Sequence, residues 1–197
     1  MRLLAFSDLH RDRAAARLLV ERSADADVVI GAGDFASMRL GLGGAIDALA
    51  GIVKPMLLVP GNNETDTALW RAAASLPDAR VLHGDGASVD GVSFYGIGAG
   101  VPPTPFPWSW DATESKAAEL LSGCPEGAVL ITHSPPFGHV DEAFGRHLGS
   151  RSILAAIQAK RPRLVLCGHI HQCWGQEAVI GATRVVNLGP EGRFFEL

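Results

Sequence analysis

The sequence predicts an α/β protein built as a four-layer αββα sandwich, with two mixed β-sheets flanked by helices. Three observations carry that expectation. Short apolar runs recur at Leu3–Phe6, Val28–Ile30, Met56–Val59, Val129–Ile131 and Leu164–Cys167. They are continuous rather than alternating, as strands covered on both faces must be. Helical spacing separates the early runs, whereas the middle and end of the chain carry short strand-like runs with turn signals, so βαβ units give way to mixed β.

Each element has a local cause. Arg13–Ser23 sets Ala16, Leu19 and Val20 on one face, with Asp12 placed to cap the helix. Leu42–Ile52, Asp66–Ser75, Thr113–Leu121 and Ser150–Lys160 repeat the pattern; Ser150 is a second capping residue, and Pro162 closes that last helix from behind. Arg80–Leu82, Ser88–Val89 and Val92–Ile97 read as short strands, the last two joined through Asp90-Gly91. Trp174–Ile180 and Thr183–Leu188 flank Gly181-Ala182, and Arg193–Glu196 forms a final strand. The stretch GAGVPPTPFPWSW, 98–110, is a long loop, equally suited to a lid or to a cover over the core.

The 197 residues are 47% hydrophobic and 19% charged, which suits one soluble domain over 1–197 that buries a core without cross-links. Cys124, Cys167 and Cys173 are too few for a disulfide framework and are expected as buried thiols. A formal net charge of −4 disfavours a long nucleic acid as partner. The opening run MRLLAFSDLH breaks at Ser7-Asp8, too early for a signal or a membrane span, so the expectation is a cytoplasmic protein without a membrane. Phe106, Trp108 and Trp110 could form a dimer interface as readily as a lid, which leaves the oligomeric state open.

Polar residues with ligand chemistry stand just beyond the apolar runs. They are Asp8 and His10 in SDLH, Asp34 in GAGD, Asn62, Asn63 and Glu64 in GNNE, His133 in THSPP, and His169 and His171 in GHIH. In an open sheet, groups beyond the carboxyl ends of the strands converge on one crevice. Four imidazoles, two carboxylates and an amide oxygen suit borderline divalent ions, and seven donors are too many for one ion with an open position. Asp8/His10 and His169/His171 are each two apart, so an extended backbone would point both members of a pair the same way. Gly33, Gly61 and Gly168 would let the chain turn sharply beside a bound ion or phosphate.

The ordered set D-x-H, G-D, G-N-x-E, H, G-H-x-H, from residue 8 to 171, resembles the calcineurin-like metallophosphoesterase superfamily. THSPPFGHVD and GRHLGSRSI are similar to its small single-domain bacterial and archaeal members. The resemblance implies the αββα fold and a phosphoric ester hydrolase with two divalent ions: Mn, Fe, Ni or Zn, with Mn favoured for activity. It implies that Asp8, His10 and His171 hold the first ion, that Asp34 bridges, and that Asn62, His133 and His169 hold the second. A hydroxide between the ions would then attack phosphorus.

Asn63 departs from the resemblance, because most members carry His there, thought to help protonate the leaving group. An amide cannot do acid–base work, although it can donate a hydrogen bond to a phosphoryl oxygen. The departure favours phosphodiesters of good leaving groups, on small organic phosphates or nucleotides, over simple monoesters. His139 and His147, in the long loop after His133, are candidates to replace the missing imidazole, and Arg11 is a candidate phosphate clamp. GRHLGS also leads into a helix N-terminus that could face an anion. Glu64 is expected to support a ligand rather than to be one. The competing expectation is a catalytically weak or inactive metal-binding scaffold of the same fold.

Overall fold

The computed structural model describes residues 1–197. Its elements in chain order are β1 (Arg2–Phe6), α1 (Arg13–Ser23), β2 (Val28–Ala32), α2 (Leu42–Asp47), β3 (Met56–Val59), α3 (Asp66–Ala73), β4 (Ala79–Val81), β5 (Asp85–Val89), β6 (Val92–Ile97), α4 (Glu114–Leu121), β7 (Val129–Thr132), β8 (Glu142–Ala143), β9 (Arg146–His147), α5 (Arg151–Lys160), β10 (Leu164–Cys167), β11 (Glu177–Ile180), β12 (Thr183–Asn187) and β13 (Arg193–Glu196). One sheet runs β13-β1-β2-β3-β4 and the other β11-β12-β10-β7-β6-β5. In the first sheet β1 to β4 are parallel and β13 pairs antiparallel with β1. In the second, β12, β10, β7 and β6 are parallel, with β11 and β5 as antiparallel edges. Both sheets are therefore mixed, as expected.

Three apolar layers explain the continuous runs. Leu4, Phe6 and Val29 pack with Leu19 of α1, Ile46 of α2 and Leu69 of α3. Their strand neighbours Leu3, Ala5, Val28 and Ile30 face the other way, into a layer with Phe94, Val129, Ile131, Leu166 and Val186 from the second sheet. Tyr95, Ile97, Leu130 and Val165 cover that sheet's outer face with Leu121 of α4 and with Ile153 and Ile157 of α5. A strand between two such layers has no face left for polar residues. No helix is long and apolar enough to cross a membrane, and Cys124, Cys167 and Cys173 are buried free thiols.

The helix ends follow their capping chemistry. Asp12 accepts from Ala14 N and Ala15 N, Thr65 from Ala68 N, Thr113 from Lys116 N and Ser150 from Ile153 N. Two expectations are corrected. α2 ends at Asp47 rather than Ile52, because Gly43 and Gly44 make a weak helix; the chain continues through tight turns in which Leu49 N donates to Ile46 O and Ile52 N to Leu49 O. Trp174 is not in a strand. It follows a single 3₁₀ turn, His171–Cys173, and β11 begins at Glu177.

Candidate metal centre

β1, β2, β3, β7 and β10 all end at the same rim, and the loops beyond them gather the chemistry. Two groups of potential ligands form there: Asp8, His10 and His171, and Asp34, His133 and His169, with the ligand atoms of each group within 4.8 Å of one another. Asp34 touches both groups. Its Oδ2 lies 3.7 Å from His10 Nε2 and its Oδ1 lies 3.4 Å from His133 Nε2. His10 and His171 Nε2 are 3.2 Å apart, and Asn62 Oδ1 is 3.1 Å from His133 Nε2. All seven sequence candidates for ligation therefore meet in one crevice, and the donors are the imidazole, carboxylate and amide oxygens that borderline divalent ions take.

The loops reach this arrangement through strained backbone. Asp8 (φ 53°), His10 (44°), Asp34 (58°) and His169 (69°) are all left-handed. The two D-x-H-like pairs are thus not extended, and His169 and His171 fall into different groups rather than chelating together. Non-glycine residues hold such angles only where surrounding bonds over-determine them. Here Asp8 N donates to Gly33 O, His10 N to Asp34 O and His169 N to both Asp8 oxygens. Gly61 and Gly33 are required for closeness to side chains: a Cβ at Gly61 would collide with Asp34 Oδ1, and one at Gly33 would sit 2.5 Å from His133 Nδ1.

The imidazoles are aimed by their second nitrogen. His10 Nδ1 pairs with Ala36 O at 3.0 Å and His133 Nδ1 with Ala32 O at 2.9 Å, which turns each Nε2 toward the crevice. Asp8 is gripped by Ser7 Oγ at 2.6 Å and Trp174 Nε1 at 3.0 Å. Asn62 Nδ2 donates to Ser109 Oγ, whose hydroxyl donates to Asp111, so the 98–110 loop orients the amide. Glu64 is buried and belongs to neither ligand group: its carboxylate accepts from the backbone N–H of Asp34, Phe35, Ala36 and Gly61 and ties the β2 and β3 loops together.

Charge is shared unevenly. Burial opposes the Asp8 anion, but the bond to His171 and the charge of His133 hold its carboxyl below the usual range. Burial likewise opposes the Asp34 anion, and His133 and His10 outweigh it. Burial lowers and Asp34 raises His133, which ends up at about 9, whereas burial and the charge of His133 push His169 down to about 4. Burial and the Asp34 charge lift Glu64 to about 7 against its four amide donors.

The remaining candidates separate. Asn63 is buried, donates from Nδ2 to Asp34 Oδ2 at 2.5 Å and accepts on Oδ1 from Met38 N at 2.5 Å, so both of its side-chain polar atoms are engaged within the protein. His147 lines a cleft shared with His169 and His171, and His139 does not. His147 Nδ1 lies 2.7 Å from Oδ1 of Asp141, a buried carboxylate held on its other oxygen by Gly138 N and Gly149 N. Arg11 is exposed, and its stem runs against Gly41. The N-terminus of α5 is filled by the Glu114 carboxylate, which accepts from Ser150, Arg151 and Ser152, so the anion site expected there is already occupied. Sequence reasoning missed Trp174, Ser109 and Asp141. Only Asp141 had a signal, an acid six residues before a candidate His.

The chain is similar to several known proteins. The human metallophosphoesterase domain-containing protein 1 is 32% identical over 137 residues, 66% of this chain and 39% of that protein. A UPF0046 protein of Caenorhabditis elegans is 32% identical over 101 residues, 51% of this chain and 34% of that protein. The matches thus span little more than a third of those relatives. In structure, the protein TT1561 of Thermus thermophilus superposes with a TM-score of 0.74 at 20% identity, covering 96% of this chain and 90% of that one. A structure described as a novel archaeal phosphodiesterase gives 0.58 at 17% identity, with 96% and 84% covered. At such identities these two likenesses speak for the fold. The family model of the calcineurin-like phosphoesterase superfamily domain matches residues 1–195, and with two ligand groups gathered at the rim of an αββα sandwich, the chain belongs to that superfamily.

Proposed function

We propose that the chain is a dinuclear metal-dependent phosphoesterase that cleaves small phosphodiesters in preference to monoesters. The observation that carries the reading is Asp34, whose two carboxylate oxygens face different ligand groups, His10 on one side and His133 on the other. Asp8, His10 and His171 would hold one ion, Asn62, His133 and His169 the other, with Asp34 between. Two divalent ions, Mn as first choice, would supply Lewis acidity toward the phosphoryl oxygens and an activated water.

The protein's own residues supply orientation and a proton. Asn63 is a positioning residue that holds the Asp34 carboxylate and the 34–38 loop. His147 is the proton donor to the leaving alcohol, because Asp141 engages its Nδ1 and leaves Nε2 of a ring that borders the cleft to carry the proton. The diester preference rests on position 63, where a neutral amide cannot offset the second negative charge of a monoester as an imidazolium would.

The deciding experiment compares initial rates on an aryl phosphodiester and the matching monoester, after chelation and with Mn restored. Mn-dependent cleavage that favours the diester is expected; no cleavage of either with metal bound would leave only a binding scaffold. Asp34→Asn should cost more than the ~100-fold typical of residues that merely support a ligand, and near-normal turnover would refute the two-ion arrangement. His147→Ala should slow esters of poor leaving groups by roughly 10²–10⁴-fold. Esters of 4-nitrophenol, which leaves without a proton, should be largely spared, with metal content intact. Equal effects on both leaving groups would remove His147 from the acid's role.

A further inference from the structure

A cleft of about 780 Å³ opens directly from the candidate ligands His169 and His171. The 98–110 loop lends it Pro102, Pro103, Pro105 and Phe106, and the segment after β7 lends it Phe137, Phe144 and Leu148. That volume lies within the range of small-molecule sites, and such sites are mostly apolar with a few polar groups at one end. The walls belong to the same loops that build the metal centre. The 98–110 loop also supplies Ser109 to Asn62, and Trp110 N donates to Asn62 O at 2.9 Å.

Phe144 is the least expected residue of the cleft. It is 89% exposed, and with Gly145 it forms the two-residue turn between β8 and β9. Phe144 has φ 54° and Gly145 φ 70°. Turns with two positive φ angles favour Asn-Gly, and a bulky aromatic at such an angle is strained. The fold gains nothing from an exposed ring there, so its place against local preference points to what the ring meets from outside. Phe106, which also borders the cleft from the 98–110 loop, is 52% exposed and stacked on Trp108 at 5.3 Å.

We infer that this cleft receives an apolar, aromatic ester arm of the phosphoester substrate, gripped between Phe144 and Phe106 while the phosphate rests at the ligand groups. The inference rests on the phosphoesterase reading. The cleft is continuous with the candidate ligands, most of its exposed lining is apolar although Glu114, Arg151 and Gln172 also border it, and the rings of Phe144 and Phe106 stand open.

The test uses 2-naphthylphosphonate and methylphosphonate, which carry no ester bond to cleave, titrated calorimetrically into the metal-free and the Mn-loaded protein. The naphthyl compound should bind about tenfold or more tightly than the methyl one in both forms. Phe144→Asn suits the turn better than the native residue, so its melting temperature should hold or rise while most of that preference disappears. Alongside, methyl 2-naphthyl phosphate is assayed for hydrolysis. Naphthyl binding without hydrolysis would uphold the pocket and fail the phosphoesterase reading. Hydrolysis with no naphthyl preference in the native protein would overturn the pocket alone, as would a preference that survives Phe144→Asn. A native dimer that Phe144→Asn dissolves, with no naphthyl preference, would assign the apolar face to a second copy of the chain and overturn the pocket.

Discussion

Asn63 donates to Asp34 and accepts from Met38 N, so truncating it loosens a candidate ligand and its loop together. Asn63→Ala should weaken metal binding roughly 10–100-fold, the usual cost of removing a group that orients a ligand. Competition with a fluorescent chelator would measure it, and unchanged affinity would mean that Asp34 is held well enough by Asn63 N, 2.8 Å away. The candidate ligands themselves were legible because each follows an apolar run, where a polar residue has few structural uses. Their supports were not. Trp174 reaches Asp8 across 166 positions, and Ser109 reaches Asn62 across 47. Nothing local marks either residue, because the pairing exists only once the two sheets face each other. Backbone angle was equally hidden: Asp8 and His10 look like an alternating pair in sequence, yet the turn after β1 puts both at positive φ.

At the scale of elements, α5 shows how one side chain docks two helices. Glu114, the first residue of α4, accepts from Arg151 N at 2.9 Å and from Ser152 N and Ser150 Oγ at 2.8 Å, on top of the Ser150 cap. Burial raises its carboxyl, but these bonds, from Ser152 foremost, outweigh it and hold the group below its ordinary 4.5. A depressed carboxyl stabilises the fold above its unfolded value and loses that contribution as pH falls through the folded one. Glu114→Gln should therefore cost about 1 kcal/mol near neutrality, on the scale of a lost cap charge. In urea unfolding the gap to the native protein should close as the pH drops below its ordinary 4.5. A gap that is constant with pH would mean that the charge is irrelevant. Ser150, Thr113, Thr65 and Asp12 made the helix starts readable. The β8–β9 hairpin escaped notice because its strands are two residues each and its turn is Phe-Gly, not a hairpin pair. α2 was overextended because Ile46, Leu49 and Ile52 keep an apolar spacing that tight turns also satisfy.

Across the whole molecule, stability and the metal centre are separable. The three apolar layers lie between strands and helices, whereas the candidate ligands stand on loops at one rim, fixed by backbone bonds such as Gly168 N to His133 O and by Glu64 across four amides. Layering was readable because runs of three or four apolar residues demand cover on both faces; which residue of a run faces which layer, Leu3 or Leu4, was not, since the pattern is symmetric. Chelation should thus leave the secondary structure intact while lowering the melting temperature. An ion at one hundred times its dissociation constant adds about 2.7 kcal/mol by mass action, which for a chain of this length corresponds to roughly 5–10 °C. Four left-handed candidate ligands, and carboxylates and imidazoles packed within 4.8 Å, make the crevice the part of the molecule that gains most from an ion. Far-UV circular dichroism and thermal melts with and without Mn check this. If chelation melts the sheets, the ions hold the two halves of the sandwich together. If it leaves the melting temperature unmoved at saturating Mn, the rim binds no ion tightly enough to be a metal centre.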